Sequence, residues 1–402
     1  MTKVIALVDP HFKGHHLTYM KFFVTCLLNK GYKVCVLMPQ KEVISDFVKN
    51  NLPQYASSFF AQNIENKEFN SFLPSVINRY LNTLYRWYYL KKKLAVLEKN
   101  HHIKVDLVFL AWLDSFLFKY IPHFFINYIF AYNWSGLYFQ PNHMRLNSFK
   151  QNKRTKFIDR DNILSAKSCK SVALLDSFIC NQLSNRIGKS VASFPDIINT
   201  EIDSKNTIAE SIKLKSASRR IVGIIGLEKR KGVLEMINLA KNSDEKKFFY
   251  VFVGEINYAE YTLEQKEVIE SYFNSNIENK FLYLNYISQE TTYNAIFSTF
   301  DIAFVVYQNF LTSSNVLTKA AYFNKLVMAV NKYYIGDTVT MFKLGVTTPE
   351  SDLSEHLKAL NFLFDNYEKL LIENETLRKT FYRQNSLQKL NESFDQIINL
   401  ND

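Results

Sequence analysis

The sequence predicts an α/β protein of two domains, each built on a parallel sheet, and three observations predict it. Short apolar strands alternate with helical segments along the chain, the pattern of a parallel sheet covered on both faces. The alternation restarts after the segment from Asp196 to Ser218, which is poor in long apolar runs. The length of 402 residues exceeds what one core ordinarily holds. With 47% apolar and 22% charged residues and only 10 Gly and 8 Pro, the chain can bury a core, which excludes a disordered or collagen-like polymer.

The first half opens as strand, loop, helix, strand. Val4–Val8 is the first strand, Asp9 to His16 the loop, Leu17–Lys30 the helix with Gly31 past its end, and Tyr32–Met38 a second strand apolar on both faces. After Pro39 the pattern reads helical and polar to about Asn100. Further strands are expected at Val105–Leu110, Phe124–Tyr132, Ser171–Leu175 and Ser190–Phe194, with Trp134–Phe139 and Asn142–Arg145 as an aromatic and basic loop. In the second half, strand Ile221–Ile225 leads through loop Gly226–Gly232 into helix Val233–Lys241, followed by strand Phe248–Val253. Lys280–Leu284, helix Gln289–Ser298, strand Ile302–Tyr307, loop Asn309–Ser314, a helix to Phe323 and strand Leu326–Val330 continue the series. The expected domains are residues 1–198 and 199–385, with a helical tail at 386–402.

Composition bounds the function classes. The cysteines Cys26, Cys35, Cys169 and Cys180 form no C-x-x-C pair and sit in apolar runs, as expected of packed free thiols in a reducing cytoplasm. The N-terminal apolar run is too short for an export signal, and no stretch reaches the roughly 18 apolar residues of a membrane span. A net charge of +11 favours an anionic partner without choosing one.

The second half resembles the donor-binding domain of retaining, family-4-type glycosyltransferases. The residues that carry the resemblance are Ile224-Ile225-Gly226-Leu227-Glu228-Lys229-Arg230-Lys231-Gly232-Val233-Leu234, a strand, a basic loop ending Lys-Gly and a helix. A second block runs through Asp301 to Tyr307, Thr312-Ser313-Ser314-Asn315-Val316-Leu317, Ala320-Ala321 and Leu326-Val327-Met328-Ala329. The resemblance implies two Rossmann-like domains (the GT-B arrangement) facing across a cleft, an N-terminal acceptor domain, a C-terminal donor domain, and retaining hexosyl transfer. Two glutamates of the family's second block align with Leu311 and Lys319, so neither carboxylate is present. Either the donor is held differently, or catalysis is lost and binding kept, as in an inactive partner subunit.

A nucleotide-sugar donor presents two phosphates, so its site needs cations and helix N-termini. Lys229, Arg230, Lys231 and Gly232 open a helix and supply both, although cations there oppose the macrodipole and otherwise read as a solvated run. The resemblance makes Lys231 the phosphate-binding lysine, with Arg230 or Lys229 as its companion, while Gly226 and Gly232 shape the loop. Ser313, Ser314 and Asn315 either cap the next helix or hold a phosphate, and Lys319 either adds charge there or reaches solvent.

For the acceptor, the loop after the first strand is the candidate: Gly14 permits close backbone approach, and His15 or His16 can donate to a sugar or phosphate oxygen. Trp134 can stack on a sugar or belong to core, and Asp114 can contact ligand or cap a helix. No metal is expected, because the histidines lack a second cluster. Tyr85 to Lys93 places aromatic and basic residues side by side on a helix, the composition of an interfacial helix at an anionic membrane or of a lysine-rich solvent face. No nucleic-acid-binding pattern accompanies it. The expectation is a cytoplasmic glycosyltransferase, with peripheral contact at the inner face of the plasma membrane, moving a sugar to a saccharide or lipid-linked acceptor in cell-surface polysaccharide or glycoconjugate synthesis.

Overall fold

In a computed structural model, which describes residues 2–12, 15–65, 68, 73–146 and 159–399, the chain divides into two compact units. Met1–Pro195 together with Leu387–Asp402 make the first, and Asp196–Ser386 the second. Each is a parallel sheet with helical crossovers, a Rossmann-like arrangement.

The first unit runs β1 (Val4–Val8), α1 (His15–Asn29), β2 (Lys33–Met38), α2 (Lys41–Asn51), β3 (Phe59–Asn63), α3 (Ser75–His101) and β4 (Leu107–Leu110). It continues with α4 (His123–Ile129), β5 (Trp134–Tyr138), β6 (Ser171–Leu174), α5 (Cys180–Ile187) and β7 (Ser190–Ser193). Its seven strands lie in the order β3-β2-β1-β4-β5-β6-β7, all parallel. β1, β2 and β4 are buried almost throughout, which is why they read as continuous apolar runs.

Three sequence expectations in this unit are corrected. Phe124–Tyr132 was expected as a strand; it holds α4 instead, because Pro122 starts a helix that buries Ile126 and turns Phe124, Phe125 and Tyr128 outward. Trp134–Phe139, expected as a loop, contains β5. Gly136 disguised it: a Cβ there would stand 2.7 Å from Leu110 O, so only glycine lets β5 lie so close to β4. The stretch expected to be helical after Pro39 contains β3, a half-buried edge strand without clear alternation.

The second unit runs α6 (Thr207–Ser216), β8 (Arg220–Ile225), α7 (Val233–Asn242), β9 (Phe248–Val253), α8 (Leu263–Phe273), β10 (Lys280–Tyr283) and α9 (Glu290–Ser298). There follow β11 (Ile302–Val305), α10 (Asn315–Tyr322), β12 (Leu326–Val330), α11 (Tyr333–Phe342), β13 (Gly345–Thr348), α12 (Leu353–Asp365), α13 (Tyr367–Glu373) and α14 (Glu375–Gln384). The strand order is β10-β9-β8-β11-β12-β13, again all parallel.

The last helix, α15 (Leu387–Asn399), packs on α1 and β7 of the first unit. Phe394 completes an aromatic cluster with Phe23, Phe109 and Phe194, Cys26 Sγ donates to Asn391 Oδ1 at 2.8 Å, and Lys30 pairs with Asp395 at 2.7 Å. The segment read as a tail is therefore part of a core. Burial pushes all four thiols up to about 12, so they remain protonated and inert as packed hydrophobes.

Candidate functional site

In the second sheet the chain leaves β8 toward β9 on one side, and β11 lies on the other, so a topological switch point falls between β8 and β11. Ligands of open parallel sheets bind in the crevice at the carboxyl ends of the strands there. The loops that follow these two strands are the ones the sequence singled out.

The β8 loop begins at Gly226, whose φ of +84° is left-handed and whose N–H donates to Val253 O at 2.7 Å. Lys229 to Lys231 form one tight turn, and Gly232, at φ +83°, opens α7. A Cβ on Gly232 would stand 2.4 Å from Val306 O, and Gln308 N donates to Arg230 O at 2.7 Å, so this loop is seated on the β11 loop. Lys231 arches back over Gly226: its Nζ donates to Ile225 O at 3.0 Å and lies 2.2 Å from where a Gly226 Cβ would be. Any side chain at 226 would displace the ammonium. Burial holds the Lys231 pKa below its ordinary value, with Glu228 at 3.9 Å acting against that and Arg230 adding to it.

Arg230 pairs with Glu228 at 2.5 Å and lies over the Phe310 ring, and Lys229 lies over the Tyr261 ring. Across the switch point, Tyr307 is buried and hydrogen-bonded to Ser314; burial, against that hydrogen bond, pushes its hydroxyl up to about 12. Ser314 occupies the N-cap of α10 without a side-chain cap bond, which leaves first-turn N–H groups beside Ser313 and Asn315 open to an anion. Glu350 fixes this loop, its carboxylate accepting from Asn309 N at 2.9 Å and its carbonyl from Gln308 Nε2 at 2.8 Å. The arrangement offers one largely covered ammonium just ahead of α7 and, on the loop after β11, the start of α10.

Comparison with known proteins bears on the fold. No family model matches the chain, and no curated protein does. Among solved structures, HepE of Anabaena in complex with UDP superposes with a TM-score of 0.65 at 13% identity, covering 99% of this chain and 100% of that one. A glycosyltransferase of Rickettsia africae gives 0.63 at 14% identity over 99% of each chain, and the sucrose-phosphate synthase of Thermosynechococcus elongatus 0.62 at 12% over 99% and 98%. The chain has the GT-B fold. At these identities the likeness is one of fold and reaches no particular family within GT-B.

Lys319 departs from the expected donor role. It is 1% exposed on α10, its Nζ donates to Glu290 Oε1 at 2.8 Å and Asn294 Oδ1 at 2.5 Å, and Asn294 in turn donates to the carbonyls of Asn199 and Glu201. Burial lowers its pKa and Glu290 opposes that. In this GT-B chain the cation at 319 ties α10, α9 and the start of the second unit together, and its charge is already consumed.

The first GT-B sheet has its own switch point, between β1 and β4. Asp9, buried at the end of β1, accepts from His11 N at 2.9 Å with one oxygen and from His16 Nδ1 at 2.8 Å with the other. A carboxylate accepts only, so His16 donates to it from Nδ1 and its Nε2 is the ring nitrogen left for a ligand. The ring is steadied by Trp112 at 4.5 Å, itself stacked on Phe139 at 4.0 Å, while His11 Nε2 bonds Ser115 Oγ at 2.7 Å. Burial lowers the His11 pKa. This dyad can hold or take the proton of a sugar hydroxyl. His16 was expected here; Asp9, Trp112 and Phe139 were not.

One acceptor expectation is corrected, one gains a structural role, and two lie outside what is described. Trp134 is fully buried in β5, packed on Trp87 and donating to Ser168 Oγ at 3.0 Å, so it is core. Asp114 accepts from the N–H groups of Phe139 at 2.7 Å and Gln140 at 3.0 Å, one with each oxygen, and so shapes the end of β5. Gly14 and the His15 side chain lie outside the described residues. His143, Asp159 and Asp161 come within 4.8 Å of one another, but the Arg186 guanidinium reaches Asp159 at 2.6 Å and Asp161 at 3.2 Å and supplies the positive charge.

Proposed function

We propose that the chain is a glycosyltransferase that takes a nucleotide-sugar donor at the switch point of its second unit and transfers the sugar to a saccharide or lipid-linked acceptor, in the synthesis of a cell-surface polysaccharide or glycoconjugate. The observation that carries this reading is the Lys231 ammonium, largely desolvated and fixed above Gly226 just ahead of α7, with the start of α10 following the neighbouring strand across the switch point. A leaving diphosphate gains charge as the glycosidic bond breaks, and a preorganised cation with helix N-termini stabilises that charge more than the ground state. Lys229, Arg230, Ser313, Ser314 and Asn315 border the same place. Likeness to HepE, whose structure holds UDP, makes UDP-sugars the first donors to try.

The test is incubation of the full chain with UDP-hexoses and a broad acceptor panel, following release of UDP. Transfer supports the reading; saturable UDP binding with no turnover on any pair would replace it with a binding or partner subunit, the alternative left by Leu311 and Lys319. The resemblance implies retention of configuration, in which the acceptor hydroxyl needs only placement by His16. The Asp9–His16 dyad also favours a second reading, direct displacement with His16 as base and inversion. Proton NMR of the first-formed anomer decides between them.

The reading extends to peripheral membrane contact through Tyr85 to Lys93. Tyr88 and Lys92 of α3 are exposed, and Tyr128 of α4, 86% exposed, lines a groove with Tyr85, Tyr88 and Lys91, while Phe124 and Phe125 are exposed elsewhere on α4. Exposed aromatics flanked by lysines suit an anionic interface. Among the described residues no helix is long and apolar enough to cross a membrane. Co-sedimentation with vesicles containing phosphatidylglycerol is expected, falling at least about fivefold for Tyr88→Ser with Tyr128→Ser; equal recovery with neutral vesicles would refute the contact.

A further inference from the structure

A pocket of about 760 Å³ opens in the first unit between the N-terminal half of α3 and the loops that follow β4 and β5. Its volume suits a small ligand. Its wall meets the Asp9–His16 dyad through Ser115, which lines the pocket and bonds His11.

The charges on the wall are unevenly committed. Glu68 takes Arg86 Nη2 at 2.5 Å, Asp159 takes Arg186 at 2.6 Å, and Asp114 has a backbone N–H on each oxygen with Arg160 at 3.9 Å. Every carboxylate there already has its donors. The cations do not all have acceptors. Arg79 makes no side-chain hydrogen bond or ion pair among the described residues, and Lys119 contacts only the face of the Tyr120 ring. Arg86 is fixed by Ser115 O at 2.8 Å and keeps a buried Nε with no partner among the described residues. Among the described residues the unused capacity of the pocket is therefore positive and donating, which an anion satisfies in charge and in hydrogen bonds and a neutral sugar in hydrogen bonds alone.

We propose that this pocket binds an anionic group of the acceptor, a phosphate or carboxylate carried on a saccharide, with Arg79, Arg86 and Lys119 as its receptors. The inference rests on the transferase reading and names its acceptor class. A charge-assisted contact from a planar guanidinium fixed by the backbone, as Arg86 is, gives orientation as well as affinity, and so presents a hydroxyl of the same sugar to the dyad.

The experiment is titration of the full chain by saturation-transfer NMR and calorimetry at low salt, with and without UDP. The probes are hexose 6-phosphate, hexuronic acid, a short-chain polyprenyl-diphosphate sugar, neutral hexose and inorganic phosphate. At least one anionic saccharide is expected to bind at least about tenfold more tightly than neutral hexose, and Arg79→Ala with Lys119→Ala to remove that advantage. Both side chains are exposed, so the variant should fold, and its affinity for UDP should be unchanged. Which anionic probe wins separates a soluble sugar phosphate or uronic acid from a lipid-linked diphosphate. Equal affinity for neutral and anionic sugars, inorganic phosphate binding as tightly as the sugars, or an advantage that survives the double variant would each overturn the proposal. Anionic sugars binding to a chain that ignores UDP would sink the donor reading and leave the pocket assignment standing.

Discussion

Replacing Lys231 by Met is expected to weaken nucleoside diphosphate binding by about tenfold to 150-fold, the loss of one charge-assisted contact of about 1.5 to 3 kcal/mol. The same variant should melt no lower than the parent. Burial places the Lys231 pKa in the folded chain below the ordinary 10.5, so between those two values the unfolded chain binds more protons. Stability then rises with pH across that window, and at neutral pH the charged lysine costs stability instead of adding it. Binding follows the opposite course, because the phosphates need the protonated form. Affinity for UDP should fall as pH rises through the lowered pKa, and Lys231→Arg should shift that fall to higher pH. A residue kept for packing would lose stability and show neither effect. Calorimetric titration and thermal melts across pH 7 to about 11 read both.

Charge reversal at Lys319 is expected to have the largest effect on folding. Lys319→Glu places a carboxylate against Glu290 in a site 1% exposed, and removes the donor that Asn294 accepts from. Breaking a buried pair costs about 3–5 kcal/mol, which for a unit of this size corresponds to a drop in melting temperature on the order of 10 °C. Adding Glu290→Lys should recover part of it, since the pair is then restored with its signs exchanged. Nucleotide affinity of any folded fraction should be unchanged. A stable Lys319→Glu chain that binds UDP more tightly would mean that position 319 faces the donor, contrary to the contacts of its Nζ.

The local structure of the loop after β8, the proposed donor loop, was legible in the sequence and the rest of the candidate site was not, for physical reasons. Ile225 to Val233 is a local motif: strand, left-handed glycine, turn and helix follow one another in the chain, so adjacency in sequence is adjacency in space. Lys319 misled because a lysine in a short helix reads as exposed, while its partner Glu290 lies on a different helix and becomes visible only when α9 and α10 are packed. Asp9 and His16 are close in sequence but stand at the end of β1 and in the first turn of α1, and no single periodicity spans the two. Trp112 and Phe139 meet because β4 and β5 are neighbours, and strand order is not written in either segment. Arg79 and Lys119 come to one pocket because α3 packs against the chain that follows β4, a contact that neither segment shows by itself.

Trp134 and α15 show the same limit from the core side. An aromatic segment interrupted by Gly136 looks like a loop until β4 is laid against it. A charged closing helix looks like a tail until Phe394 is set between Phe23 and Phe109. Local chemistry was legible; what long-range packing does to a residue was not.

The crevice between β8 and β11 is the proposed site of a nucleoside diphosphate. Hydrogen exchange of the full chain with and without saturating UDP tests it most directly. Protection is predicted at the amides of residues 226–235 and 313–317, lost in Lys231→Met. UDP binding that protects other segments and leaves those amides exchanging at their unliganded rates would contradict it.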